Sequence, residues 1–192
     1  MIAIIAEKPS VGQEIARVVG ATEKKDGYIT GNGYMVTWAL GHLVSLALPG
    51  TYGYTRTTAE DLPMLPEPFR LVERQIRTDR GMVTDIAAGK QLKIIDEVFS
   101  KCDSIIVATD AGREGELIFR WIYSHLGCTK PFKRLWISSL TDEAIREGMA
   151  SLKEGTGYDS LYAAADSRAK ADWLVGMNAS RALAAASGSV NN

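Results

Sequence analysis

Two short apolar runs in this chain each end on an acid, and a helix-forming segment follows each at once. Met1-Ile2-Ala3-Ile4-Ile5-Ala6 leads into Glu7-Lys8-Pro9-Ser10 and then Val11–Val19, which Gly20 closes. Ser104–Thr109 leads into Asp110-Ala111-Gly112-Arg113-Glu114-Gly115-Glu116 and a helix that reaches Leu126 before Gly127. A nearly continuous apolar run bounded by turn residues suits a strand buried on both faces of a parallel sheet. Strands alternating with helices predict an α/β fold with a mostly parallel central sheet. Ligands of such sheets gather beyond the carboxyl ends of the strands, which is where both acids fall.

The remaining texture is uneven. Ser10 and Gln13 have capping-box spacing, and Tyr28-Ile29-Thr30 and Tyr34-Met35-Val36 flank the hairpin signal Gly31-Asn32-Gly33. Pro49, Pro63, Pro66 and Pro68 predict an extended, irregular stretch, and residues from about Asp79 to Phe99 read as helix. Leu135–Ser138 reads as a strand, and Thr141 opens a helix to about Leu152. Tyr158–Ala186 is Ala-rich and helical with no strand signal, which places a boundary near 155 and separates residues 1–155 from a helical segment, 156–192. The last helix has few partners for its apolar residues, so the chain is expected to continue into a longer protein.

Composition removes several classes. The 22 basic and 23 acidic residues leave a net charge of −1, so nucleic-acid contact must come from local charge rather than a basic blanket. No stretch approaches the ~20 apolar residues of a membrane span, and the N-terminus lacks the basic region of a signal peptide. A cytoplasmic protein is expected. Cys102 and Cys128 form no Cys-x-x-Cys pair, which argues against a disulfide framework or a zinc site. There is no P-loop, and no Gly-x-Gly-x-x-Gly follows a strand. His42 and His125 have no partner at zinc or triad spacing and read as structural residues. If the two acid-ended strands are neighbours, Glu7 and Asp110 share a crevice suited to Mg²⁺, which takes one or two carboxylates and leaves its other positions to water and phosphate oxygens. Glu114 and Glu116 read first as partners of the helix dipole.

Five motifs carry a family resemblance: Ala6-Glu7-Lys8-Pro9-Ser10; Val36-Thr37-Trp38 with Gly41-His42-Leu43; Ala108–Leu117; Arg134–Thr141; and Ser167-Arg168-Ala169-Lys170-Ala171-Asp172-Trp173-Leu174-Val175-Gly176-Met177-Asn178. Together, and in this order, the chain resembles the N-terminal part of a type IA DNA topoisomerase of the topoisomerase III group. The resemblance implies a Rossmann-like TOPRIM domain over the first 155 residues, then the start of a helical DNA-binding domain. It implies Mg²⁺ as cofactor, single-stranded DNA and the remainder of the same polypeptide as partners, and no use of ATP. The family reaction cleaves, passes and religates one strand through a 5′-phosphotyrosine link. Glu7 matches the family's metal ligand and acid–base glutamate, and Lys8 its phosphate-binding lysine. Asp110 and Glu114 match the first and last acids of the Asp-x-Asp-x-Glu motif. Arg113, Arg168 and the terminal Ser187, Gly188, Ser189, Val190, Asn191 and Asn192 match positions near DNA; for Arg168 a plain i,i+4 ion pair with Asp172 is the competing reading. Gly112 stands where the common pattern has its second aspartate, and no tyrosine here matches the nucleophile. A stand-alone TOPRIM nuclease or primase-like enzyme, and a non-catalytic nucleic-acid-binding module, are the alternatives.

Overall fold

The computed structural model describes residues 1–55, 58–79 and 81–187. In chain order the elements are β1 (Ile2–Ala6), α1 (Pro9–Val19), β2 (Glu23–Lys25), β3 (Tyr28–Gly31), β4 (Tyr34–Trp38), β5 (Val44–Leu46), β6 (Leu71–Glu73), β7 (Gln75–Thr78), β8 (Gly81–Thr84), α2 (Ile86–Lys101), β9 (Ser104–Ala108), α3 (Arg113–His125), β10 (Phe132–Arg134), α4 (Asp142–Ala150), β11 (Lys153–Glu154) and α5 (Asp159–Ala186). Seven strands form one sheet in the order β11-β10-β9-β1-β4-β3-β2. Its inner four, β10, β9, β1 and β4, run parallel, and antiparallel strands flank them on both sides.

The apolar runs at β1 and β9 are long in buried residues because both their faces are covered. Ala3 and Ile5 join a core with Leu92 and Ile95 of α2 and Ile118 and Ile122 of α3. Ile4 points the other way, into a core with Ile15 and Ala16 of α1 and Ile145 of α4. This alternation follows from the two-residue period of a strand. The result is a sheet between two helical layers, as the strand–helix alternation predicts.

The path of the chain decides where a ligand can sit. From β1 the chain leaves through α1 and the hairpin to return at β4, on one side. From β9 it leaves through α3 to β10, on the other. The connections diverge between β1 and β9, so a crevice opens beyond their carboxyl ends.

Several local expectations shift. α1 begins at Pro9, with Lys8 at its N-cap and no side-chain cap bond, so Ser10 lies inside the first turn rather than capping it. Pro9 at the first helical position fits, because proline lacks only an N–H that would be unpaired there. The helix expected from Asp79 starts at Ile86, and Gln75–Thr78 and Gly81–Thr84 pair as antiparallel strands before it. Asp85 caps the helix through the N–H groups of Ala87 and Ala88. The strand expected at Leu135–Ser138 instead occupies Phe132–Arg134.

α5 packs on α3 and on the proline-rich stretch. Trp121 Nε1 donates to Asp166 at 3.0 Å, Trp173 Nε1 to the Ala47 carbonyl at 3.0 Å, and Asn178 clasps the Met64 backbone through both amide atoms. Ala165 and Trp173 are thereby buried in the same core as α2 and α3, whereas Val175 and Leu183 stay 70% and 72% exposed. Among the described residues no helix is long and apolar enough to cross a membrane.

Candidate metal and phosphate site

β1 and β9 pair in register, Ala6 opposite Ala108. Glu7 and Asp110 therefore leave the sheet side by side. The Asp110 N–H donates to Glu7 Oε2 at 3.1 Å, and Glu7 is only 8% exposed. A carboxylate this deeply placed is held by specific bonding rather than by chance. Asp110 itself is exposed and lines two clefts. The larger, about 640 Å³, runs from Asp110 past Arg113 and Glu114 of α3 to Arg168 and Asp172 of α5. Lys8 is exposed at the N-cap of α1, one residue beyond Glu7.

The other expected residues divide. Arg113 opens α3 on the cleft wall. Arg168 lines the same cleft and makes the i,i+4 pair with Asp172, at 3.7 Å. Glu114 does not join Glu7 and Asp110: its carboxylate pairs with His42. Among the described residues, no three acidic, histidine or cysteine side chains gather closely enough to hold a metal. Ser187 ends α5, its hydroxyl on the Ala184 carbonyl. Gly188, Ser189, Val190, Asn191 and Asn192 lie outside the described residues.

The chemistry of the donors fits Mg²⁺ in part. Glu7 and Asp110 offer hard oxygens from adjacent strand ends, enough for an ion that keeps most of its waters. Glu114 would have to release His42 to become a third ligand. Gly112 adds no carboxylate, but its backbone is ready for one. Its φ of 176° is ordinary extended geometry, and a Cβ there would meet nothing within 4 Å. It is also the N-cap of α3 and carries no side-chain cap, a place where aspartate is favoured. Gly112→Asp is therefore expected to leave the fold intact and to tighten Mg²⁺ by roughly tenfold, since carboxylate count tunes such sites; calorimetric titration checks it.

Three groups around the site escape sequence reasoning. His42 stands against Glu114 and edge-on to Trp121, ring centroids 6.0 Å apart. Arg134 is wholly buried, donating to the carbonyls of Val107 (3.0 Å), Thr109 (2.6 Å) and Asp110 (2.7 Å) and to Glu116 (3.0 Å). Burial pulls its guanidinium below the ordinary value, against the upward pull of Glu116. Glu116 is equally buried, so it is a counter-ion in the core rather than a surface partner of the helix dipole. The one available signal was Arg134 itself, a charge beside the apolar Leu135 in a strand-like segment.

Comparison with known proteins places the chain. The Toprim domain model matches residues 2–140. DNA topoisomerase 3 from Bacillus thuringiensis (strain Al Hakam) is 51% identical over 185 residues, covering 94% of this chain and 24% of that protein. DNA topoisomerase 3 from Shouchella clausii (strain KSM-K16) is 50% identical over 185 residues, with the same coverage. Full-length topoisomerase I from Thermotoga maritima aligns with a TM-score of 0.48 at 19% identity, over 79% of this chain and 21% of that one. The chain thus spans about a quarter of the length of its curated relatives.

Proposed function

Since the chain belongs to the Toprim domain family, we propose that it is the N-terminal, Mg²⁺-binding part of a type IA DNA topoisomerase of the topoisomerase III group. The observation that carries this reading is the meeting of Glu7 and Asp110 at the ends of two adjacent parallel strands. Residues 1–155 form the Toprim unit, and residues 156–192 begin a helical unit whose arginine faces the same cleft. The whole enzyme acts in the cytoplasm on single-stranded DNA without ATP, and its nucleophilic tyrosine lies outside this chain. Alone, this part does not cleave DNA.

Within the site each residue has a task its chemistry suits. Glu7 and Asp110 would hold Mg²⁺, which when bound supplies positive charge beside the scissile phosphate. The partly enclosed Glu7 carboxyl gives a proton to the 3′ oxygen as it leaves and takes it back on religation. Lys8, a compact ammonium, steadies a phosphate oxygen. Arg113 and Arg168 guide the strand along the cleft through its backbone. If so, the logarithm of the binding constant for a short single-stranded oligonucleotide falls linearly with log salt, by a slope of about −0.7 per phosphate neutralised. Fluorescence anisotropy between low and moderate salt tests this, and a flat response contradicts it. A full-length parent that relaxes supercoiled plasmid with Mg²⁺ alone, and loses that activity in Glu7→Gln, supports the enzymatic reading over a non-catalytic module.

A further inference from the structure

We propose that Arg134 is a positioning residue of the cation site, with Glu116 as its fixed counter-ion rather than a metal ligand. The inference rests on the reading of Glu7 and Asp110 as the cation's ligands. The segment between β9 and α3 that carries Asp110 is tied by the Thr109 hydroxyl to the Gly115 carbonyl at 2.7 Å and by the Asp110 N–H to Glu7, while Ala111 is exposed and Gly112 half-buried. Arg134 holds its carbonyls from beneath. Its guanidinium reaches under the loop and takes the carbonyls of Thr109 and Asp110 as well as Val107, so it sets the direction in which the chain leaves β9.

Glu116 fixes the fork in turn. One of its oxygens accepts from Arg134 at 3.0 Å and the other from Arg120 at 2.9 Å. With both oxygens engaged and no exposure, it has none to offer a cation. Arg120 continues outward to the Gly155 carbonyl at 2.9 Å and to Asp159 at 2.6 Å, where α5 starts. Trp136 covers the other end, its ring 5.1 Å from the Arg134 guanidinium. No buried side-chain nitrogen or oxygen among the described residues lacks a partner. A fully satisfied network of this kind is rigid, and groups that orient metal ligands from behind typically control affinity by 10–100-fold.

The test uses Mn²⁺ binding to the 192-residue chain, read by electron paramagnetic resonance. Arg134→Lys keeps a positive charge for Glu116 but loses the fork that spans the carbonyls. With its circular dichroism unchanged, it is expected to weaken Mn²⁺ by about tenfold or more. A folded Arg134→Lys chain with unaltered affinity overturns the proposal. Wild-type chain that takes up no Mn²⁺, or binds it as well after Glu7→Gln, overturns the site itself and the proposal with it. Should Arg134→Lys not fold, the wild type answers directly: the Arg134 Nε–H resonance is expected to shift with Mg²⁺ alongside the Asp110 amide. A resonance that stays still while Asp110 moves rejects the coupling.

Discussion

Gly115→Ala is expected to destabilise the chain by about 3 kcal/mol, at the upper end of what overpacking usually costs. Gly115 lies in the first turn of α3, where alanine would ordinarily gain about 1 kcal/mol over glycine. The sign reverses because the Asp110 loop folds back against this turn. A Cβ on Gly115 would sit 2.1 Å from the Asp110 carbonyl oxygen, 2.8 Å from its nitrogen and 2.9 Å from its carbonyl carbon. All three are backbone atoms, and the carbonyl oxygen is itself held by Arg134 at 2.7 Å. No side chain can swing aside to make room. The loop must move, and Asp110 with it, so Mg²⁺ affinity should fall together with stability. Gly176→Ala is the matched control. That glycine is also helical, in α5, exposed, and open for 4 Å around a Cβ. It is expected to gain about 0.5–1 kcal/mol. Urea unfolding of both variants settles the comparison, and two shifts of the same sign refute it.

Arg134→Met is the second large effect, an expected loss of about 3–5 kcal/mol, the usual cost of removing one partner from a buried ion pair. Methionine fills much of the volume, so the loss is electrical rather than steric. Glu116 keeps Arg120 but loses its other partner, and the carbonyls of Thr109 and Asp110 lose the guanidinium that serves them, while that of Val107 keeps the Leu135 N–H at 2.9 Å. Against a total stability of roughly 5–15 kcal/mol for a domain, most of the population remains folded at low temperature. The double variant Arg134→Met with Glu116→Leu should recover part of the loss, because the uncompensated charge goes with its partner. It should not recover all, because the carbonyls of Thr109 and Asp110 stay without the guanidinium. Chemical denaturation at neutral pH measures both, and a single variant within about 1 kcal/mol of wild type would contradict the buried network.

What the sequence revealed and what it hid have physical causes. The strands at β1 and β9 were legible because burial on both faces leaves an apolar run that no surface segment matches. The contact between the Glu7 carboxylate and the Asp110 backbone followed once those strands were taken as neighbours. The pairing of β7 with β8 was hidden because their apolar residues are few: Ile76, Met82 and Val83 fit either period, and all three remain 39–47% exposed. Glu116 was misread because an acid in a first helical turn usually meets the dipole and water. Only the fold brings Arg134, eighteen positions away, beneath it. His42 was likewise unremarkable in sequence, and its pairing with Glu114 depends on how the stretch after β4 reaches α3. Pairwise partners across distant segments are a property of topology, and local pattern carries no trace of them.

The central claim is that Glu7 and Asp110 serve one divalent ion. Titrating ¹⁵N-labelled chain with Mg²⁺ and following its amide resonances tests this most directly. Residues 7–8 and 110–114 are expected to shift together along one binding curve, and Glu7→Gln to abolish both sets of shifts. Shifts confined to one strand end, or two curves with separate midpoints, would contradict it.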